Sequence, residues 1–290
     1  MGHHVARIAR GLATTLLAVA ATVPAPALAQ TPVAADPAGQ QRGERYHAEF
    51  AGGLWHPTVA GHISSDALSL VGSQIDFGKD LGFASSTVAT MNLVLRPGKK
   101  HRFRAEFAPI QYEADTTFSR IITFAGVPFP VSLPIHSTLR WRTWRFGYEY
   151  DFLYRKWGFV GVLFEARTTR LDASLASSVV GGVTSGSAIL PSIGVVGRGY
   201  VAPGVAVNFE LSGFCALHSP GGEFAMKCKA DANPDYQATY FDWNIYGTVN
   251  VNRYVGAQVG WRRQTTTLNF GTDRGALAFQ GLWIGGVVRY

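Results

Sequence analysis

From Arg45 to the end of the chain, apolar and polar positions alternate in recurring segments. In 205–217 one face carries Val205, Val207, Phe209, Leu211 and Gly213, and the other Asn208, Glu210 and Ser212. In 157–170, Val160, Val162, Phe164 and Ala166 oppose Glu165, Arg167 and Thr169. In 237–251, Phe241, Trp243, Ile245, Val249 and Val251 oppose Asp242, Asn244, Thr248 and Asn250. A period of two is that of a β-strand with unlike faces. Ten such segments are predicted: 45–55, 86–96, 101–113, 136–152, 157–170, 189–202, 205–217, 237–251, 254–267 and 277–290. No helical period interrupts them, and the 33 glycines suit an all-β chain with many turns.

The connections alternate in length. Turns at 96–100, 153–156, 202–204 and 252–253 are tight, whereas 56–85, 114–135, 171–188, 218–236 and 268–276 are mostly long. Short turns on one rim and long loops on the other, with an even strand number, describe a single antiparallel up-and-down barrel whose termini share the short-turn rim. Alternation alone does not say which face is inside, since a soluble barrel turns its apolar face inward. Two observations favour apolar-out. Residues 1–29 have basic Arg7 and Arg10, an apolar run from Leu12 to Val23 and an Ala27-Leu28-Ala29 cleavage site, which together predict a secretory signal peptide. Aromatic residues also form two groups. Trp141, Trp144, Tyr240 and Phe241 lie towards the long loops, and Tyr148, Tyr150, Phe152, Trp157, Tyr254 and Tyr290 towards the short turns, like the two interfaces of a bilayer. The expected organisation is a signal peptide (1–29), a flexible leader (30–44) and a transmembrane β-barrel (45–290).

The last eight residues, WIGGVVRY, complete a strand in which Leu282, Ile284, Gly286, Val288 and Tyr290 share one face. They resemble the C-terminal assembly signal of outer-membrane β-barrel proteins, with Gly285 third, Val288 sixth and aromatic Tyr290 last. Trp283 departs from it, standing where that pattern has a polar residue. Stretches such as HRFRAEFAPIQYEAD and RFGYEYDF are similar to those of small bacterial barrels of this superfamily. The resemblance implies a Gram-negative-type outer membrane, with outer-membrane lipids and lipopolysaccharide as surroundings and the barrel assembly machinery as a partner. Nucleic acid is not expected: the formal charge of +7 falls only to +5 without Arg7 and Arg10, and the basic residues are dispersed.

With the apolar face outward, the interior is heavily charged. The predicted lumen set is Glu49, Arg102, Arg104, Glu106, Arg140, Arg142, Arg145, Glu149, Asp151, Glu165, Arg167, Arg198, Glu210, Asp242 and Arg262. Including Arg140 and Arg142 requires a β-bulge near Thr143–Trp144, where the apolar residues change parity, and a similar shift near Pro109. Isolated ions in a narrow barrel are costly, so these groups are expected to pair, Arg102 and Arg104 with Glu149 and Asp151. Ten strands enclose a backbone radius of about 10 Å, most of it filled by side chains.

Candidate chemistry is sparse. Some outer-membrane barrels are enzymes that pair His with Ser or Asp near the outer rim, and the residues available here are His136-Ser137 and His218-Ser219, with Glu223 nearby. Adjacent strand residues point to opposite faces, so His136 and Ser137 do not meet. No metal-ligand spacing occurs among the histidines, and no cofactor motif is present. Cys215 and Cys228, the only cysteines, suit a single disulfide across a loop or two free thiols. Segment 56–85 is long enough to cap or enter the mouth, and apolar 118–135 suits a hairpin extending the wall with GVPFP at its tip. The sequence thus points to a non-enzymatic outer-membrane barrel with a charge-filled lumen and a scaffold or surface-interaction role. A narrow porin-like channel for ions or small solutes is the alternative, and a lipid-modifying enzyme a distant third.

Overall fold

The computed structural model describes residues 44–64, 73–218, 224–225, 236–270 and 273–290, all within the compact unit Gly39–Tyr290. Its strands are β1 (Ala48–Ser64), β2 (Ile75–Asp76), β3 (Val88–Gly98), β4 (His101–Thr117), β5 (Ile122–Phe124), β6 (Val127–Phe129), β7 (Pro134–Arg155), β8 (Gly158–Ala176), β9 (Gly181–Ala202), β10 (Val205–His218), β11 (Phe224–Ala225), β12 (Tyr236–Asn250), β13 (Val255–Phe270) and β14 (Asp273–Arg289). Ten of them form a closed antiparallel wall in the order β1-β3-β4-β7-β8-β9-β10-β12-β13-β14, and β14 pairs back on β1 from Glu49↔Arg289 to Ser64↔Arg274. Each predicted segment corresponds to one of these ten. The stub β2 pairs with β1 at His62 and Ile63. The signal-peptide and most of the leader positions lie outside the described residues.

A band of exposed apolar side chains circles the wall. It includes Phe50 and Leu54 on β1, Phe146 and Phe152 on β7, Ile193 on β9, Phe209 on β10, Ile245 on β12, Val259 and Trp261 on β13, and Ile284 and Val288 on β14. Several strands extend far beyond it. β7 has 22 residues, about 55 Å of height at a typical rise and tilt, whereas an apolar band is about 25 Å tall. Two of the expected loops are therefore largely strand: β8 runs to Ala176 and β9 starts at Gly181, and β13 and β14 leave only 271–272 between them.

The expected bulges are absent. β4 and β7 pair without a break from His101↔Tyr150 to Thr117↔Pro134, and along β7 the odd residues stay inward from Ile135 to Asp151. Register shifts lie instead near the short-turn rim, at Tyr150/Leu153, Leu95/Gly98 and Val205/Ala206. The polarity of the two faces is what changes. Below Trp144 the outward residues of β7 are aromatic and the inward ones charged. Above it Arg142, Arg140 and His136 point outward, and Trp141, Leu139 and Ile135 are buried inside. The inversion falls at the same height on neighbouring strands. On β4 it lies between outward Phe107 and inward Ile110, and on β8 between outward Thr168 and outward Arg170, in register with Trp144 and Arg142. Two expectations are corrected here. Arg140 and Arg142 are not lumen residues but stand on the outer wall, and Trp141 and Tyr240 are not belt aromatics but inward, each 1 % exposed. The parity change in the sequence marks the level at which the wall leaves an apolar surrounding, so the outside becomes polar and the inside becomes a core.

That core is built partly from loops. Ile75, Phe77, Leu81 and Phe83 fold inward and pack with Trp55, Val59 and Ile63 of β1, Ile110 and Tyr112 of β4, Leu139 and Trp141 of β7, and Phe279 of β14. The β5–β6 hairpin adds Ile122, Phe124 and Phe129, each at most 1 % exposed. It forms a separate two-stranded sheet rather than an extension of the wall. Its tip is Ala125-Gly126, with φ of 51° and 75°, the left-handed pair that a two-residue hairpin turn requires. GVPFP therefore occupies the tip and return strand, with Phe129 in the core.

Candidate functional site

Below the core, the inward positions of successive strands place charge at every level. Among the described residues the belt comprises eight arginines (Arg96, Arg102, Arg104, Arg145, Arg167, Arg198, Arg262, Arg289) and eight carboxylates (Glu44, Glu49, Glu106, Glu149, Asp151, Glu165, Glu210, Asp242). All but Glu44, which precedes β1, lie on the axis side because each strand contributes alternate residues there. The chain folds this way locally because the opposite face of each segment is apolar, so closing the barrel with that face outward leaves charge inside.

Arg102 pairs with Glu149 and lies 2.9 Å from Asp151, while Arg104 lies 3.5 Å from Glu149 and also pairs with Glu210. These contacts follow the β4–β7 register, in which Arg102 faces Glu149. One level up, Arg145 is a hub. It lies 3.0 Å from Glu106, 3.6 Å from Glu210 and 3.9 Å from Asp242, and its Nε donates to Glu165. Arg262 reaches Asp242 at 2.7 Å, and Arg167 reaches it at 3.2 Å with its guanidinium 4.0 Å above the Tyr240 ring. Arg262 also spans the lumen to Glu106. Arg198 bonds Asn208 and lies 3.4 Å from Glu44. Buried pairs of this kind hold together when the charges are paired, and the two signs are present in equal number, although Arg102 Nε and two nitrogens of Arg167 have no hydrogen-bond partner among the described residues.

Sequence reasoning missed Glu44, Arg96 and Arg289. Glu44, assigned to the leader, turns into the short-turn end. There it lies 3.3 Å from Arg96 and 3.5 Å from Arg102, and accepts hydrogen bonds from Tyr154 at 3.2 Å and from Tyr200. No pattern before β1 signals this. Arg289 could have been placed, since it shares the inward phase of Trp283, Gly285 and Val287; it pairs with Glu49 and donates to Asn250 at 2.6 Å. Arg96 falls in the turn expected at 96–100, but it continues the inward phase of β3 and is 6 % exposed. The terminal octet also acquires a physical reading. Trp283 points inward, where its Nε1 donates to Thr90 at 2.8 Å, so the position keeps a polar contact. A Cβ on Gly285 would stand 2.7 Å from the Trp283 ring, so glycine there makes room for the indole. Val288 and Tyr290 are outward and exposed, and the Tyr290 carbonyl accepts from the amides of His47 and Ala48.

The remaining space is small or confined to the mouth. A cavity of about 50 Å³ lies beside Arg104, Glu106, Glu210 and Arg262, and one of about 20 Å³ beside Arg102 and Arg198; voids of that order suit isolated waters. A larger cavity of about 320 Å³ opens at the long-loop rim, lined by Trp141, Leu171, Gly186, Ala188 and Leu277 among others.

Among the described residues, the candidate pair His136 and Ser137 does not converge. Ser137 is fully buried, whereas His136 faces outward and its Nδ1 lies 2.9 Å from Asp115, in an exposed cross-strand pair. The His218 side chain, Ser219 and Glu223 lie outside the described residues. No group of three metal-ligating side chains occurs among the described residues. Cys215 is disulfide-bonded, and Cys228, the only other cysteine, lies outside the described residues. On the outer wall, partial burial pushes the Asp172 carboxyl up, but hydrogen bonds from Arg142 and Arg170 outweigh it and hold the group below the usual carboxylate range.

A closed antiparallel barrel with an apolar outer band and a polar interior is the fold of outer-membrane β-barrel proteins, and comparison with solved structures agrees. The chain is similar to the outer membrane protease OmpT from Escherichia coli, with a TM-score of 0.52 and 11% identity over 83% of this chain and 97% of that one. Also matched are an outer membrane channel from Pseudomonas putida F1 (TM-score 0.40, 11% identity, 88% of this chain and 100% of that one) and Ail, the attachment invasion locus protein of Yersinia pestis (TM-score 0.33, 9% identity, 84% and 99%). The likeness to OmpT concerns the fold alone. No family model and no curated protein matches the sequence.

Proposed function

We propose that this protein is a non-catalytic, occluded outer-membrane barrel whose wall and loops on the outer side form a surface platform. In this reading residues 1–29 are cleaved, the short turns face the periplasm, and the upper strands with the plug stand clear of the outer leaflet. The observation that carries it is the filling of the lumen at every level: Glu44 and its arginines at the short-turn end, the paired belt in the middle, and the apolar plug above. The exposed basic residues Lys99, Lys100, Arg155 and Lys156 at the short turns suit anionic headgroups of the inner leaflet. The octet with Gly285, Val288 and Tyr290 serves recognition by the assembly machinery before β14 closes on β1, since an open strand edge is not tolerated in lipid.

The test is conductance of the mature chain, residues 30–290, refolded in a planar bilayer after heat-modifiable migration on a gel confirms folding. A folded, electrically silent barrel is expected; steady openings of the intact protein would overturn the reading. The narrow channel retains one supporting observation, the cavity of about 320 Å³ at the mouth. It requires conduction by the intact protein, whereas the occluded reading predicts silence with or without the β5–β6 hairpin, since the paired belt below still fills the lumen. For catalysis, the exposed His136–Asp115 pair is the group to remove: His136→Ala is expected to leave every hydrolytic assay at background, as in the parent protein.

A further inference from the structure

Removing Arg140 and Arg142 from the lumen leaves them needing a role, and their surroundings supply one. In the β7–β8 register Arg142 stands directly opposite Arg170, and Arg140 opposite Asp172. All point outward; Arg142 and Arg170 stand one outward row above Trp144 and Thr168, where the apolar band ends, and Arg140 and Asp172 two rows above. Like charges opposite one another weaken a sheet, and the Arg142 and Arg170 side chains are 51% and 61% exposed. Between them is a single carboxylate, Asp172. Arg142 donates to its Oδ2 at 3.0 Å, and Arg170 Nε donates to both oxygens at 3.1 and 3.2 Å. Arg140 has no carboxylate partner among the described residues. The residue opposite it on β4 is Gln111, whose amide is bonded to Glu113, and Asp115 is bonded to His136. The cluster therefore carries three guanidinium groups around the one carboxylate of Asp172, with Glu113 one outward row above on β4.

We propose that Arg140, Arg142 and Arg170 form an outer-wall site for the phosphorylated headgroup of a lipid in the surrounding leaflet. Guanidinium forks match phosphate oxygens in pairs; along β7 about 7 Å separates Arg142, and about 14 Å separates Arg140, from Trp144, the upper edge of the aromatic surface. An acyl chain lying on that surface brings its headgroup phosphate to the height of the arginines. This position favours a lipid over a soluble anion as the source of the phosphate. Across the barrel, at the corresponding height, Arg263 on β13 stands in register with Trp243 and Gln280 and has no second arginine opposite it.

The inference rests on the wall being bilayer-facing, which insertion into vesicles tests separately. For the site itself, the folded protein in a zwitterionic detergent is titrated with diphosphoryl lipid A, its dephosphorylated counterpart and inorganic phosphate, and the midpoint of heat-induced unfolding on a gel is followed. Diphosphoryl lipid A is expected to raise the midpoint and the other two to leave it unchanged. Each single replacement, Arg140→Ala, Arg142→Ala or Arg170→Ala, is expected to weaken the apparent affinity about fivefold, Arg263→Ala to leave it intact, and Asp172→Asn to tighten it by removing a competing anion. The proposal is overturned if the triple arginine variant, still folded, responds like the parent protein, or if Asp172→Asn weakens binding as the arginine losses do. Equal protection by inorganic phosphate would overturn the lipid source and leave a simple anion site.

Discussion

Replacing Arg145 by methionine distinguishes a dry lumen from a wet one. The side chain is 8% exposed and its guanidinium touches Glu106, Glu165, Glu210 and Asp242. Methionine keeps much of the length and removes the charge. The four carboxylates keep other contacts: Glu106 and Asp242 with Arg262, Asp242 with Arg167, Glu210 with Arg104, and Glu165 with Ser192. They nevertheless lose their shared cation. If water is excluded, removing one member of a buried network costs about 3–5 kcal/mol. If the lumen is a solvated channel, the same change costs about 0–1 kcal/mol and fades with added salt. Denaturant unfolding of the refolded protein in vesicles, followed by tryptophan emission at low and high salt, measures the difference. A loss of several kcal/mol that is insensitive to salt is expected. A loss below about 1 kcal/mol, abolished by salt, would refute the occluded lumen. The double replacement Arg145→Met with Glu165→Met restores much of the stability, because an apolar pair often substitutes for a buried ion pair without penalty.

Of the seven tryptophans, Trp144, Trp157, Trp243 and Trp261 face outward, and Trp55, Trp141 and Trp283 inward. A quencher attached to lipid chains should therefore lose accessible emission on Trp144→Phe and lose none on Trp141→Phe; the reverse would invalidate the face assignment. Reduction of the Cys215 disulfide should expose two alkylatable thiols, seen by mass, and lower stability by roughly 3 kcal/mol or less, with no change in the unreduced protein after alkylation. Asp172, whose carboxyl is held low, contributes stability that is present above its unfolded pKa and lost as pH falls through the lower, folded value. Asp172→Asn should accordingly lower the unfolding midpoint at neutral pH and converge with the parent in acid, so that the acid limb is flatter; a midpoint equal to the parent's at every pH would refute the pairing. Glu44→Gln removes the anion shared by Arg96, Arg102 and Arg198. It should loosen the short-turn end, seen as faster proteolysis near the N-terminus; protection equal to the parent's would count against that anchor.

The ten strands were legible because each has two unlike faces along its lower part, and that contrast is a property of the chain itself. The error over Arg140 and Arg142 came from extending one rule, apolar outward, over the full length of β7. Leu139 and Trp141 obey the opposite rule because the surroundings change there from hydrocarbon to water, and a parity change in sequence reads equally as a bulge. A bulge was the local explanation available, and the continuous β4–β7 register excludes it. The plug was only partly visible. Segment 118–135 was plainly apolar, but its partners Phe77, Trp141 and Phe279 are distant in the chain and identifiable only once the barrel closes. Glu44 lay in a stretch without periodicity, so its burial depends on the arginines of three other strands.

The inversion of polarity along β4, β7 and β8 also fixes how deep this barrel can sit. Sinking it by one residue pair would draw Arg142 and Arg170 into hydrocarbon; raising it would strip Trp144, Phe164 and Phe146 of lipid while their inward neighbours gained nothing. Because the crossover is written at one height on adjacent strands, immersion depth is set by the sequence itself and not by flanking loops. A barrel of this design holds its upper wall at a constant distance from the membrane plane, so whatever meets that wall does so at a fixed height.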